Sequence, residues 1–108
     1  MKKRALSIAG CVLLAGVVAL GAGDGAKGKD VFDQNCSVCH NSDSTEVKIG
    51  PGLKGLFKKS GLANKKKVSD ANVLDFINKG SSEKGMPGFA DLLNDAEKAD
   101  LIAYLKTL

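Results

Sequence analysis

Two of the chain's three cysteines and its only histidine fall within five consecutive residues, Cys36-Ser37-Val38-Cys39-His40. Two thiols and an imidazole at that spacing can do one of three things. They can form a reactive disulfide, supply part of a metal site, or attach a haem covalently. A further soft donor is the thioether of Met86, in the run Gly85-Met86-Pro87-Gly88-Phe89. Which chemistry applies depends on the elements that must position these side chains.

A chain of 108 residues allows one domain. Its front end reads as a leader outside that domain. Met1 to Arg4 carry positive charge, and Ala5 to Gly23 carry none and end in small residues. Ala19 and Gly21 stand at the −3 and −1 positions of a secretory cleavage site. Residues 1–21 are therefore expected to be a signal peptide, with cleavage between Gly21 and Gly23, and residues 22–108 the folded domain. An uncleaved anchor is the alternative, because 19 uncharged residues could just span a bilayer. Cys11 has only six uncharged residues before it, too few for a lipoprotein leader, and reads as an apolar filler.

Within the domain the pattern is helical, with no strand alternation. Val31, Phe32 and Cys36 give a short helix an apolar face, and Asp24 is its expected cap. Residues 41–67 are punctuated by Gly and Pro and read as loop. Ser69 caps a second helix, with Val73, Leu74 and Ile77 on one face and Gly80 at its end. Asn94 and Glu97 have the spacing of a capping box, ahead of a stripe of Leu101, Ile102, Leu105 and Leu108 with Tyr104 beside it. The fold class is all-α with long loops. So small a core needs a staple such as a disulfide, a metal or a cofactor.

These elements decide between the three chemistries. A thioredoxin-type Cys pair opens a helix after a strand, whereas here the pair follows a helix. A structural zinc site needs four ligands, and no second pair exists. The five-residue form Cys-x-x-Cys-His is the pattern of c-type haem attachment. Cys36 and Cys39 would form thioethers to the two vinyl groups, and His40 would place its imidazole under the iron. Beyond residue 21 there is no other histidine, and Met86 is the one methionine left for the opposite face. Pro87 steers Met86 out of helical geometry, onto a loop that can reach the haem. A core-filling role is the ordinary one for a methionine. The haem, with no competing strong ligand, favours Met86 as distal ligand.

The sequence resembles the small class I cytochromes c over the whole of residues 22–108. "GKDVFDQNCSVCH" is similar to their first helix and attachment site, with Gly28 and Phe32 as its Gly-x-x-x-Phe. "GPGLKGLF" resembles their proximal loop, "MPGF" their methionine loop and "LIAYLK" their last helix. The resemblance implies one covalent haem c in a cytochrome c fold. It implies a bond from the His40 Nδ1–H to the Pro51 carbonyl, and packing of Gly28 and Phe32 against Leu101 and Tyr104. The chain has no tryptophan, and its one arginine is Arg4, so the usual haem-propionate partners of larger relatives have no identified counterpart.

A haem iron with His40 and Met86 on its two faces can change charge by one unit without an open coordination site. The function expected is therefore one-electron transfer between redox partners outside the cytoplasm, without enzymatic activity. The alternative is a haem-based ligand sensor or a peroxidase-like protein with a labile sixth ligand, which would want a distal His or Arg. Charge is informative too. The full chain is +4, but Lys2, Lys3 and Arg4 lie in the leader, which leaves thirteen lysines against twelve acids, a charge of about +1. Nucleic-acid binding is excluded on that balance. Lys48, Lys54, Lys58, Lys59, Lys65, Lys66 and Lys67 form an acid-free run, and the resemblance implies transient docking of acidic redox proteins through it. A periplasmic monomer is expected, on a membrane only if the N-terminal segment is retained. N-terminal sequencing of the native protein checks the leader. The chain should start between Ala22 and Asp24, whereas a start at Met1 would mean a retained anchor.

Overall fold

The computed structural model describes residues 23–108; the expected leader and Cys11 lie outside the described residues. Three α-helices appear, α1 (Gly25–Asn35), α2 (Asp70–Lys79) and α3 (Asp95–Leu105). Among the described residues there is no strand, only two isolated bridges, Gly61 with Lys67 and Ser81 with Met86. The all-helical expectation holds. Among these residues no helix is long and apolar enough to cross a membrane.

Each helix starts where a side chain satisfies its free amides. Asp24 Oδ1 accepts from the amides of Ala26 at 2.9 Å and Lys27 at 3.3 Å, which begins α1 three residues before Gly28. Ser69 Oγ accepts from the Asn72 amide at 3.1 Å to open α2. Asn94 and Glu97 form a reciprocal capping box at the start of α3, with bonds of 2.8 and 2.9 Å. Gly80 ends α2 with φ 65°, outside the range of ordinary side-chain residues.

The dominant packing is α1 across α3. Phe32 and Leu101, each 1% exposed, form its centre. The Phe32 and Tyr104 rings meet at 5.5 Å between centroids and 56° between planes, a tilted arrangement that suits their quadrupoles. Gly28 sits at the crossing. A Cβ there would collide with the Asp100 carbonyl oxygen and lie 2.8 Å from Tyr104 Cβ. The same junction is tied from outside, since the Asp24 amide donates to Asp100 Oδ1 at 2.8 Å. Val73 and Ile77 of α2 bury their side chains in the same core, with Leu56, Phe89 and Leu93 from the connecting segments.

The connection between α1 and α2 is loop, as expected, except for a single 3-10 turn at Leu56–Lys58 that buries Leu56. Three residues are too few to show a period, which is why the pattern gave no sign of it. Among the described residues four ion pairs form, Lys29–Asp33, Lys66–Asp75, Lys79–Asp75 and Lys106–Asp70, and all lie on the surface. Pairs this exposed add little to stability, so apolar burial and the α1–α3 crossing carry the fold. Replacing Gly28 with Ala forces that crossing apart. Overpacking of this kind costs about 1–3 kcal/mol, and the midpoint of guanidinium unfolding should fall while the slope m stays constant. An unchanged midpoint would show that the helices do not need the close approach.

Candidate functional site

The Cys36–His40 run is rolled into a tight turn by the end of α1. The amides of Cys36 and Ser37 both donate to the Phe32 carbonyl, at 2.7 and 3.0 Å. Those of Cys39 and His40 both donate to the Cys36 carbonyl, at 3.1 and 2.9 Å. The two thiols are free, and Cys36 packs against the core. Burial, with a smaller contribution from nearby Cys39, pushes the Cys36 thiol up to about 11. Disulfide-exchange enzymes lower that value in their attacking cysteine, so Cys36 is not tuned for that part.

His40 is oriented by the segment that follows. Its Nδ1 lies 2.7 Å from the Pro51 carbonyl oxygen. A carbonyl can only accept, so Nδ1 carries the proton and Nε2 of the neutral ring keeps its lone pair free for a metal. Gly50 makes room for the ring, because a Cβ there would lie 2.5 Å from His40 Cε1 and 2.9 Å from Nδ1. The loop is laced to the motif by three bonds. The Gly50 amide donates to Cys39 O at 2.7 Å, the Leu53 amide to Asn41 O at 2.8 Å, and Lys48 Nζ to Ser37 O at 2.8 Å. Gly50 was not a site candidate from sequence, although the Gly50-Pro51-Gly52 run carried the signal.

Met86 arrives from the other side, on the segment between α2 and α3. It exchanges both backbone hydrogen bonds with Ser81, each 2.9 Å. Met86 and His40 line one open slot, whose walls include Leu53, Leu56, Val73 and Ile77. The remaining polar side chains on that slot are Lys59, Ser81 and Lys84. Cys36 and Cys39 line an adjoining cleft, which His40 and Met86 also line, together with Gly85, Pro87 and Phe89. Cofactor pockets are mostly apolar with a few placed polar groups, as this lining is. The structure thus brings Cys36, Cys39, His40, Pro51 and Met86 to one place.

That place suits a flat apolar ring. The walls are aliphatic, an imidazole nitrogen and a thioether reach the slot, and the thiols stand at one end. It does not suit zinc, since among the described residues no three His, Cys, Asp or Glu side chains converge on a point that could hold a metal ion. The lysines expected to meet partners are spread over the loops. Lys59 lines the slot, Lys48 reaches back over the Cys turn, and Lys66 pairs with Asp75 of α2 at 3.7 Å.

Comparison with known proteins agrees with this geometry. The family model described as Cytochrome c matches residues 25–108. Cytochrome c of Chlamydomonas reinhardtii is 40% identical over 100 residues, covering 79% of this chain and 89% of that protein. Cytochrome c 2.1 of Caenorhabditis elegans is 38% identical over 103 residues, with the same shares covered. The crystal structure of cytochrome c6 from the diatom Phaeodactylum tricornutum superposes with a TM-score of 0.62, over 79% of this chain and 93% of that one. At 24% identity that likeness speaks for the fold. The chain therefore belongs to the cytochrome c family, has its all-helical fold, and takes haem c as its cofactor.

Proposed function

We propose that this haem-based electron carrier binds a single haem c through thioethers at Cys36 and Cys39, with His40 and Met86 as the axial ligands. The observation that carries the reading is the meeting of the His40 imidazole and the Met86 thioether on one apolar slot beside both cysteines. When bound, the haem supplies an iron that gains or loses one electron. The chain's own residues do the rest. The Pro51 carbonyl, 2.7 Å from Nδ1, holds the imidazole in the tautomer that presents Nε2, and a hydrogen bond of this kind also raises ligand basicity. Met86 closes the other side, and thioether ligation raises the reduction potential relative to a second histidine. The mostly apolar walls, Leu53, Leu56, Val73, Phe76 and Ile77 among them, would shield a bound ring from water on the side they cover.

A sensor or peroxidase role needs a vacant or easily vacated position and groups to move protons. His40 is occupied by Pro51, and the one arginine of the chain is Arg4. Residues 1–21 act as an export leader in this reading, and the carrier works in the periplasm as a monomer. It meets its partners transiently through the lysines of residues 48–67.

Replacing Met86 with Ala should remove the far-red sulfur-to-iron charge-transfer band and lower the potential. It should also tighten cyanide binding to the ferric protein at least about tenfold, because the competent fraction of open sites rises. Wild-type protein that is already high-spin and lacks the band would overturn the axial pair. Docking is tested separately. Neutralising Lys65, Lys66 and Lys67 to Gln should slow electron transfer to an acidic partner several-fold, within the roughly 10–1,000-fold span of electrostatic steering, and leave the absorption spectrum unchanged. Rates that ignore both this change and added salt would return these lysines to plain surface.

A further inference from the structure

We propose that Gly80 and Gly85 are positioning residues for the Met86 thioether, holding it at ligating distance through the backbone of a closed hairpin. The inference rests on Met86 as distal ligand and assigns what sets its reach. Gly80 has φ 65° and ψ −158°, a region open essentially to glycine alone. A Cβ on Gly80 would lie 2.5 Å from the Met86 carbonyl oxygen and 2.5 Å from the Pro87 carbonyl carbon. The methionine's own peptide is therefore pressed against the end of α2. Ser81, the next residue, exchanges two 2.9 Å backbone bonds with Met86, which closes residues 81–86 into a ring. The ring turns through Gly85, at φ 80°.

Beyond Met86 the same contact continues. A Cβ on Gly88 would lie 2.6 Å from the Asn78 carbonyl oxygen, and the Phe89 amide donates to the Ile77 carbonyl at 2.9 Å. Segment 86–89 is thus laid on the last turn of α2, and the separation of the two backbones sets how far the thioether projects into the slot. Gly80 lines neither that slot nor the adjoining cleft, whereas Gly85 lines the cleft beside Met86. A side chain added at Gly80 therefore acts on the site by moving Met86, and at Gly85 the backbone effect is separated by comparing two side chains of similar size.

The two glycines separate sterics from backbone strain. A Cβ at Gly85 has nothing within 4 Å, and Val and Asn are of similar size, so a difference between these two variants reports φ. In the ferric holoprotein, Gly80→Ala and Gly85→Val should both weaken the far-red charge-transfer band and tighten cyanide binding at least about tenfold, since apparent affinity follows the fraction of open sites. Gly85→Asn should keep wild-type behaviour, because asparagine tolerates positive φ better than other side chains. A purely structural role would lower the unfolding midpoint and leave band and cyanide affinity alone in the folded protein, and that result overturns the proposal. So does equal behaviour of Gly85→Val and Gly85→Asn, which carries the test if Gly80→Ala fails to fold. A wild-type protein without the band would overturn the methionine ligand itself. A wild-type protein with the band and a Gly80→Ala variant matching it would overturn only the positioning role.

Discussion

The fold hangs on one close approach, the crossing of α1 over α3 at Gly28, where there is no room for a single added carbon beside the Asp100 carbonyl and Tyr104. It joins the two ends of the described chain, seals Phe32 against Leu101 and Tyr104, and fixes where α1 must stop. The turn holding Cys36, Cys39 and His40 begins at that stop. Everything between the two helices is then free to be long and irregular, because its ends are already held. Residues 36–94 use that freedom to wrap a slot while adding Leu56, Val73, Ile77, Phe89 and Leu93 to the core, with α2 forming one wall. A domain of this size has little apolar surface to bury on its own, so filling the slot with an apolar cofactor completes the core as well as supplying the chemistry.

The two sides of the slot are held by different means. On the histidine side the support is a loop knitted to the motif by backbone bonds, with Pro51 setting the ring and Gly50 lying flat beneath it. On the methionine side it is a hairpin pressed against a helix end. Both devices act through backbone groups, which have few alternative positions, and both suit a centre that must change charge without changing shape. The slot itself biases that change. With a haem bound, the apolar walls would disfavour the extra positive charge of an oxidised iron, and the positive charges of Lys59 and Lys84, which line the slot, would act in the same direction.

Much of this was legible in the chain because it is local. Asp24, Ser69 and the Asn94–Glu97 pair announce their helices through bonds to amides two or three residues away. The Cys36–His40 motif is legible for the same reason, since five adjacent residues carry its spacing. The bond to Pro51 and the packing at Gly28 span longer distances, and they came from resemblance rather than from pattern. What stayed hidden is nonlocal and made by backbone. The Ser81–Met86 pairing, the pressure of Gly80 on the methionine peptide and the seat of His40 on Gly50 leave no periodicity and involve no distinctive side chain. Leu56, buried by a turn of three residues, was hidden because one turn is shorter than any period.

The central claim is that Cys36 and Cys39 fasten the haem by covalent bonds at the foot of the slot. Extraction of the native protein with acidified organic solvent tests it most directly, because it strips haem held by coordination and packing alone. The account predicts a colourless organic layer and red protein of mass equal to the processed chain plus one haem. Haem that moves into the solvent and leaves an unmodified chain behind would contradict it.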